Sequence, residues 1–289
     1  MSAVSEERAP SSQRGERAAW RRLLREPAAI IGGVIVGGFV LIAIFAPVIA
    51  PYDPNASDWM TIREAPSLAH LFGTDDLGRD VLSRVIFGAR ASLAAGFLSV
   101  TIALAIGLPL GVAAGYFGGV TDMAIARIAD ALLACPFLVL AIALAAFLGP
   151  SLQNAMIAIG VSATPIFIRL ARGQTLAVRA EDYISAAQSL GLPHAKIMAS
   201  HILPNILPPI VVQATLTTAI AVLAEASLAF LGLGQAPPDP SWGSMLDAAR
   251  QFLVEAPWMA VWPGLAIVVV VVGFNLLGDA LNDSLNPLD

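Results

Sequence analysis

The chain has 289 residues, of which 57% are hydrophobic and only 13% are charged, with a net charge of −5 at pH 7 and a mean hydropathy of +0.77. Soluble domains carry about a quarter of their residues as charged side chains. This composition therefore excludes a soluble globular protein and predicts that much apolar surface faces lipid. The single cysteine, Cys135, excludes an internal disulfide and a cysteine-based metal site.

A polar arm of residues 1–26 with six arginines opens the chain. The apolar run behind it is longer than the hydrophobic stretch of a signal peptide. Pro51 directly follows Ala50, the only cleavage site that the sequence offers. We therefore expect a retained arm and not a cleaved signal.

Long runs without charge follow the arm, and each is long enough to cross a hydrocarbon core, which takes about 20 helical residues. The longest run is divided by Gly149-Pro150-Ser151 and holds parts of two spans. The sequence thus predicts an all-α membrane protein with six transmembrane helices. We place them at about residues 28–50, 89–115, 120–148, 152–172, 205–231 and 257–278.

Arginine and lysine lie mostly in alternate connections, and this bias predicts how the helices are oriented. With the N-terminus inside, eleven of the 16 basic side chains fall on the cytoplasmic side. We therefore expect both termini there, and two long segments outside, at about 51–88 and 232–256. The predicted divisions are the arm (1–26), the first helix with its outer segment (27–88), a core (89–282) and a tail (283–289).

Glycines at a spacing of four mark two of the predicted spans. They occur at Gly33 and Gly37 in the first span and at Gly107, Gly111 and Gly115 in the second. Small residues at this spacing let helix backbones approach closely. They indicate either helix packing within this chain or a specific interface with another subunit.

The connection at about 173–204 is the most polar stretch after the arm and lies on the predicted cytoplasmic side. Its residues 180–190 are good helix formers, and Glu181 and Asp182 suit a helix N-terminus. Gly191 can adopt a positive φ and end that helix. The pattern predicts a short helix that stops at the glycine.

A second short helix is predicted after the glycine, since Pro193 fits its first turn. Pro204 is expected to interrupt the helical path just before the next span. The result is a helix–glycine–helix elbow. Its Ala186 and Ala187 offer a small, flat surface to a groove of another protein.

The elbow resembles a loop of importer permeases of the ABC class, which has the form E-A-A, three residues, Gly, nine residues and I-x-L-P. Ser185-Ala186-Ala187, Gly191 and His201-Ile202-Leu203-Pro204 occupy these positions at the same spacing. Two residues depart from the form, because Ser185 replaces Glu and His201 replaces Ile. In that family the loop is the coupling helix, which sits in a cleft of the ATPase subunit.

The resemblance implies a set of coupling residues within the loop 173–204. They are Glu181, Asp182, Ser185, Ala186, Ala187, Gly191, Leu192, Pro193, Lys196 and Pro204. The serine at position 185 removes a charge that helps some family members dock, but it leaves the spacing of the alanines and the glycine intact.

Three further stretches, 72–93, 225–246 and 274–289, look like the second, C-type permease of peptide and nickel importers. This resemblance implies the type I importer permease fold, an extra N-terminal span with a five-helix core, in a bacterial cytoplasmic membrane. It also implies a heterodimer with a sibling permease, two ATPase subunits and an extracytoplasmic substrate-binding protein, with membrane lipid around the permease subunits. No feature of the chain suggests a nucleic-acid partner.

The chain has no energy-coupling chemistry of its own. A P-loop needs Gly-Lys-Ser/Thr, and the only lysine, Lys196, follows an alanine. The three histidines, His70, His194 and His201, are too scattered to form a metal site. We therefore expect a transport subunit that is not an enzyme and has no cofactor, with ATP and Mg²⁺ bound in partner subunits.

Charged residues on the predicted outer side have two interpretations. Asp75, Asp76, Arg79 and Asp80 either contact the binding protein or pair among themselves to fix the loop, and Trp242 belongs to the same candidate contact. Further along, one acidic residue lies inside a span about six residues from its outer end. This residue, Glu225, either lines the translocation pathway or ties down the neighbouring Pro-rich loop.

Charges also begin the third predicted span. Arg127 and Asp130 are three residues apart and can pair on one helix face. Together with Asp122 they either form structural pairs or line a gate. The sequence does not choose between these two roles.

The predicted function is the permease subunit of an ATP-driven importer of di- or oligopeptides. The same architecture serves nickel chelates and glutathione, so these solutes stay open as alternatives. An ion-coupled secondary transporter is a further alternative, but it needs ionisable groups near mid-membrane and often an inverted repeat. The chain has one off-centre acid and no such repeat.

Overall fold

A computed structural model describes residues 26–285, and within this range the chain folds into α-helices without a β-sheet. Five helices are long and apolar enough to cross a membrane, and the number is six if a bent pair of shorter helices is counted as one broken span. The predicted all-α membrane architecture is therefore confirmed. Nearly all of the predicted arm, and the last four residues of the tail, lie outside the described residues.

We number the helices α1 to α10 in chain order. The crossing helices are α1 (Pro27–Ile49), α2 (Val81–Phe117), the bent pair α3 (Gly119–Leu133) and α4 (Phe137–Leu148), α5 (Leu152–Arg179), α8 (Leu203–Phe230) and α10 (Trp258–Leu285). The shorter helices are α6 (Asp182–Ser189), α7 (His194–Ile197) and α9 (Trp242–Ala249). A π-helical turn (Met198–Ile202) joins α7 to α8, and a 3₁₀ turn (Arg250–Phe252) follows α9.

Two spans extend well beyond their predicted ends. Helix α2 begins at Val81 instead of residue 89, because the Asp80 carboxylate caps it and accepts a hydrogen bond of 2.8 Å from the Ser83 N–H. Helix α5 continues to Arg179, seven residues past its predicted end. With 28 residues it is about 42 Å long. Polar turns therefore carry both helices beyond the hydrocarbon.

The third span is broken, so the prediction of one continuous helix over 120–148 is wrong. Helices α3 and α4 meet at 89°. The break falls at Ala134–Pro136, because Pro136 has no N–H to donate and its ring disfavours a helical conformation of Cys135. Neither half alone crosses a 30 Å core, since 12 helical residues reach only about 18 Å.

The glycines of α2 pack against α5 within the chain. A Cβ built on Gly107, Gly111 or Gly115 would lie 2.8, 2.6 and 2.7 Å from the nearest atoms of α5. Only a residue without a side chain permits this approach. Nothing lies within 4 Å of a Cβ built on Gly33 or Gly37, so these two glycines of α1 leave an open face.

Two large apolar clusters fill the helix bundle and share α2 and α8. The first surrounds α5, with Ile159 and Phe167 completely buried, and it continues into the polar connection between α5 and α8. The second holds α1, α9 and α10 together around the buried Trp242. Each cluster therefore anchors one of the two polar regions that lie at the ends of the bundle.

Candidate functional site

The polar connection between α5 and α8 folds as the predicted elbow, which we define as residues 180–202. Helix α6 stops at Ser189, and Gly191 has a φ of +75°, a conformation that favours glycine. The Leu192 N–H donates to the Ala187 carbonyl at 3.2 Å and closes the turn. The chain then reverses into α7.

The end of the elbow differs from the prediction in two details. Pro193 is the residue that precedes α7 instead of lying in its first turn. Pro204 does not interrupt the helix, because it lies in the first turn of α8, where a missing N–H is tolerated. The irregularity occurs one step earlier, as the π-helical turn. The expected interruption at Pro204 is therefore wrong, and the path from α7 into α8 is continuous.

Apolar side chains hold the elbow against the bundle. Ile184, Ile197 and Ile202 are completely buried in the first apolar cluster. Ala187 is also buried, so of the two alanines that we expected to form a docking surface only Ala186 faces outward. The cause is the helical period, which turns adjacent residues by about 100° and sends one of them towards the core.

The outward face of α6 carries an apolar stripe, which we call the elbow stripe and define as Tyr183, Ala186 and Leu190. Tyr183 is 44% exposed and Leu190 is 80% exposed. Sequence reasoning missed these two residues, although their spacing of three and four from Ala186 places all three on one helix face. Burial and the nearby Glu181 carboxylate raise the pKa of Tyr183, so its hydroxyl keeps its proton.

Most of the predicted coupling residues surround this stripe. The exposed ones are Glu181, Asp182, Ser185, Ala186, Gly191, Pro193, Lys196 and Pro204, while Leu192 is half-buried. In the part of the chain that the structure describes, Glu181, Asp182 and Lys196 are exposed and form no ion pair. The elbow thus offers an apolar stripe with a charged border, the usual anatomy of a protein contact.

The opposite end of the bundle carries a second polar region, the outer cap, which we define as residues 51–80 and 231–257. An ion network lies at its base. The Arg79 Nε donates to Asp75 Oδ2 at 2.6 Å, and the Arg84 Nε lies 3.4 Å from the same oxygen. The other oxygen of Asp75 accepts from the backbone N–H groups of Leu77 and Arg79. All three charged side chains are buried.

Arg84 also ties the two halves of the outer cap together. Its Nη1 donates to the Pro54 carbonyl at 2.8 Å and to the Pro238 carbonyl at 3.4 Å. The other oxygen of Asp80, which caps α2, accepts a hydrogen bond of 3.0 Å from the Nδ1–H of His70. Most of the charged side chains of this loop therefore pair with other groups of the same chain, which is one of the two interpretations that the sequence offered.

Contact of the outer cap with a binding protein stays a prediction, and the structure narrows the residues that would make it. Asp76 is the most exposed of the four charged candidates, with 28% of its side chain accessible. Burial and the neighbouring Asp75 raise the pKa of Asp76. Trp242 is completely buried, so it touches no other protein in this arrangement. Its indole N–H donates to the Val85 carbonyl and fixes α9 on α2.

Glu225 lies in the packing between α8, α2 and α9. It is completely buried, and its Oε2 accepts a hydrogen bond of 3.0 Å from the Ser92 hydroxyl. The Ser92 oxygen in turn accepts from the backbone N–H of Trp242 at 3.2 Å. These contacts anchor α9 and the Pro-rich loop before it to α2 and α8. Because Glu225 is completely buried, it does not line an open pathway in this arrangement.

The charges of α3 pair with α5 and not with each other. Asp130 binds Arg169 at 2.7 Å, and Asp122 binds the Arg172 guanidinium through two hydrogen bonds. Arg127 and Asp130 could pair on one helix face, but Asp130 instead pairs with Arg169, which α5 places closer to it. Asp122 and Asp130 therefore form structural pairs that join α3 to α5, which is one of the two roles that the sequence left open.

Comparison with known proteins agrees with these features. Residues 107–288 match the family described as "Binding-protein-dependent transport system inner membrane component". Residues 17–66 match the "N-terminal TM domain of oligopeptide transport permease C". Together the two matches cover most of the chain, including the elbow and α1.

Curated relatives align along almost the full chain. A dipeptide transport system permease protein of Alkalihalophilus pseudofirmus is 48% identical over 94% of this chain and 89% of its own. A glutathione transport system permease protein of Pectobacterium atrosepticum is 44% identical over 93% of this chain and 89% of its own. A probable D,D-dipeptide transport system permease protein of Escherichia coli is 44% identical over 94% and 91%.

A solved structure supports the fold. The permease chain of the MetNI methionine ABC transporter, in an inward-facing conformation, aligns with a TM-score of 0.57. The alignment covers 71% of this chain and 97% of that one at 23% identity. The arrangement of the core helices is therefore that of a type I importer permease.

Proposed function

The chain belongs to the family of binding-protein-dependent transport system inner membrane components, and from this premise we propose that it is the C-type permease subunit of an ATP-driven importer of short peptides. The observation that carries the proposal is its 48% identity to a dipeptide permease along nearly the whole chain. Other relatives are named for a D,D-dipeptide or for glutathione, itself a small peptide. Glutathione and nickel chelates remain same-family alternatives.

The proposed assembly contains this chain, a sibling permease, two ATPase subunits and an extracytoplasmic binding protein in a bacterial inner membrane, with both termini in the cytoplasm. Two features support it. The elbow has an exposed apolar stripe with a charged border, and the sequence has no nucleotide-binding loop of its own. ATP and Mg²⁺ would therefore be bound by the ATPase subunits, and this chain would form half of the translocation pathway.

In the mechanism that we propose, the elbow receives the movement of the ATPase subunit and passes it to the transmembrane helices. The elbow stripe occupies a groove of the ATPase subunit, and ATP binding draws the elbows of the two permeases together. Ile184, Ile197 and Ile202 press on the first apolar cluster, so a displaced elbow moves the helices around α5. The pathway then opens outward and accepts the peptide from the binding protein, and hydrolysis resets it.

A charge placed on the elbow stripe tests the docking step. In proteoliposomes that contain the complete transporter and its binding protein, we expect Leu190→Glu to abolish ATP-driven uptake of radiolabelled dialanine. Leu190 is 80% exposed, so the change leaves the fold of the free chain intact. A carboxylate buried in an apolar groove, in contrast, costs several kcal/mol, of the order of a hundredfold or more in affinity.

The matched control is Leu68→Glu, the same change at a 98% exposed leucine of the outer cap. It should leave ATPase docking unchanged. Copurification of the ATPase subunits reports docking directly, and their retention at wild-type level by Leu190→Glu would contradict the proposed docking face. Uptake that continues with vanadate but stops with an uncoupler would instead favour the ion-coupled alternative.

A further inference from the structure

One polar contact joins the elbow to a helix to which it is not directly connected in sequence. The Tyr116 hydroxyl, near the end of α2, lies 2.7 Å from Nδ1 of His194 at the start of α7. Depending on the tautomer, the hydroxyl donates to the ring nitrogen or accepts from its N–H. The two rings also meet edge to face, with centroids 5.5 Å apart.

Tyr116 is held in place by the packing around it, whereas its partner lies on the elbow. It is buried and belongs to the first apolar cluster, while Phe117 packs against both rings. His194 lies on the exposed side of the elbow. Among the described residues, no other side-chain hydrogen bond links the elbow to a helix other than α5 and α8, which flank it. The residue just before the elbow, Arg179 at the end of α5, also donates to the Gly115 carbonyl of α2 at 3.5 Å, and the remaining contacts of the elbow with the bundle are mostly apolar.

Helix α2 connects this contact to the other end of the molecule. It runs without interruption from Tyr116 to Val81, where Asp80 caps it inside the ion network of the outer cap. Arg84, Gly88 and Ser92 of the same helix hold the two halves of the cap and α9. Pro109 lies inside this helix but does not end it, so a displacement of the inner end of α2 reaches the outer cap through one continuous helix.

We propose that Tyr116 and His194 are positioning residues that transmit movement of the elbow to α2 and through it to the outer cap. The proposal rests on the coupling role proposed for the elbow. The elbow then drives two elements separately. Through the continuous helix it moves α8, and through the Tyr116–His194 contact it moves α2. Loss of the contact leaves ATPase docking in place but separates hydrolysis from opening of the outer side.

The test uses the complete transporter with Tyr116→Phe, which removes one oxygen and keeps the ring. We expect binding-protein-stimulated ATPase activity to persist, while dialanine transported per ATP falls about fivefold, the shift in an equilibrium that one hydrogen bond supports. His194→Leu should reproduce the loss. His194→Asn, which keeps a polar atom near the position of Nδ1, should restore most of the ratio.

The matched control is Tyr52→Phe, which removes a hydroxyl that donates to the Ala69 carbonyl within the outer cap. It should leave the transported dialanine per ATP unchanged. A second readout is hydrogen–deuterium exchange of residues 81–90. In the wild type, trapping with ATP and vanadate should change their protection, and in Tyr116→Phe this response should be lost.

The outcomes separate this inference from the proposed function. If the wild-type complex shows no ATP-dependent uptake, the proposed function fails. If the wild type transports and Tyr116→Phe keeps both its transport-to-ATP ratio and its exchange response, the positioning role alone is overturned. A parallel fall of uptake and ATPase activity in Tyr116→Phe would also overturn it, because it would indicate a general structural defect.

Discussion

The outer cap and the elbow are the two polar regions at the ends of the bundle, and they are attached to it by different physical means. Buried ion pairs and charge-assisted hydrogen bonds hold the outer cap, with Asp75, Arg79 and Arg84 at the centre. Apolar contacts and the Tyr116–His194 hydrogen bond hold the elbow, while its charged side chains are exposed. The two regions therefore differ in what it takes to move them.

A buried ion network tolerates little displacement, because a charge that leaves its partner inside the protein meets a large desolvation penalty. Apolar contacts depend weakly on direction, so packed helices can shift against each other at small cost. We infer that the outer cap moves as one rigid block with α2, whereas the elbow can change its angle to the bundle. We call the outer cap with α2 the platform, because it moves as one block, and we call the elbow the lever, because its angle to the bundle can change.

The largest expected effect comes from breaking the platform. Arg84→Met removes one of the two guanidinium groups that pair with Asp75 and leaves the Pro54 carbonyl without its donor. Loss of one partner of a buried ion pair costs about 3 kcal/mol or more. We expect a lower Tm of the purified protein and rapid proteolysis of the outer cap.

The control for this variant is Arg250→Met. Arg250 pairs with Asp247 at 3.1 Å, but 54% of the Arg250 side chain and 35% of the Asp247 side chain are accessible to solvent. Exposed pairs contribute less than about 1 kcal/mol. A Tm for Arg84→Met that is no lower than for Arg250→Met would mean that the buried network does not fix the outer cap.

A smaller but selective effect is expected from the lever. Gly191→Val meets no steric obstacle, since nothing lies within 4 Å of a Cβ at this position, but the φ of +75° is unfavourable for a β-branched residue. The left-handed conformation costs about 1–2 kcal/mol for a residue with a side chain. The bent elbow is then less populated, and both binding-protein-stimulated ATPase activity and dialanine uptake should fall by roughly tenfold.

Gly173→Val is the matched control for the lever. It is also a glycine with open space around it, but it lies inside α5 and has no positive φ. It should retain transport, and the Tm of both variants should stay close to the wild type. Wild-type uptake and ATPase activity in Gly191→Val would remove the coupling role of the elbow.

The sequence predicted features that depend on neighbouring residues better than features that depend on residues far apart in the chain. Local patterns located the spans, the glycine turn at Gly191 and the close packing of α2, because periodicity, positive φ and small side chains act within a few residues. Partners across the fold were not predictable. Asp130 pairs with Arg169 of α5 instead of Arg127, since the nearest residue in sequence is not the nearest in space.

The break in the third span was missed for a related reason. Hydropathy averages over about 20 residues, so the apolar run around Pro136 gave no sign of an 89° bend. The proline itself was the available signal. At the elbow, the helical period was likewise an available signal. It places Ala187 on the inward face and Tyr183 and Leu190 on the outward face.

The smallest expected effect concerns Glu225, and it separates the two ways in which an acid can serve the outer cap. The residue is buried, and the Ser92 hydroxyl donates to it and accepts from the Trp242 N–H. If an acceptor at this position is what anchors α9, Glu225→Gln should transport dialanine at the wild-type rate and change stability by less than about 1 kcal/mol.

The contrasting variant is Glu225→Leu, which removes the acceptor of the Ser92 O–H and leaves that buried donor unpaired, while the Ser92 oxygen still accepts from the backbone N–H of Trp242. It should lower stability by about 1–3 kcal/mol, the desolvation penalty of an unpaired polar group. Thermal unfolding of the purified protein measures this difference. A strong loss of uptake in Glu225→Gln, at unchanged Tm, would show instead that the transport cycle uses the charge of Glu225, and α9 would then lie over part of the pathway and not over a structural anchor.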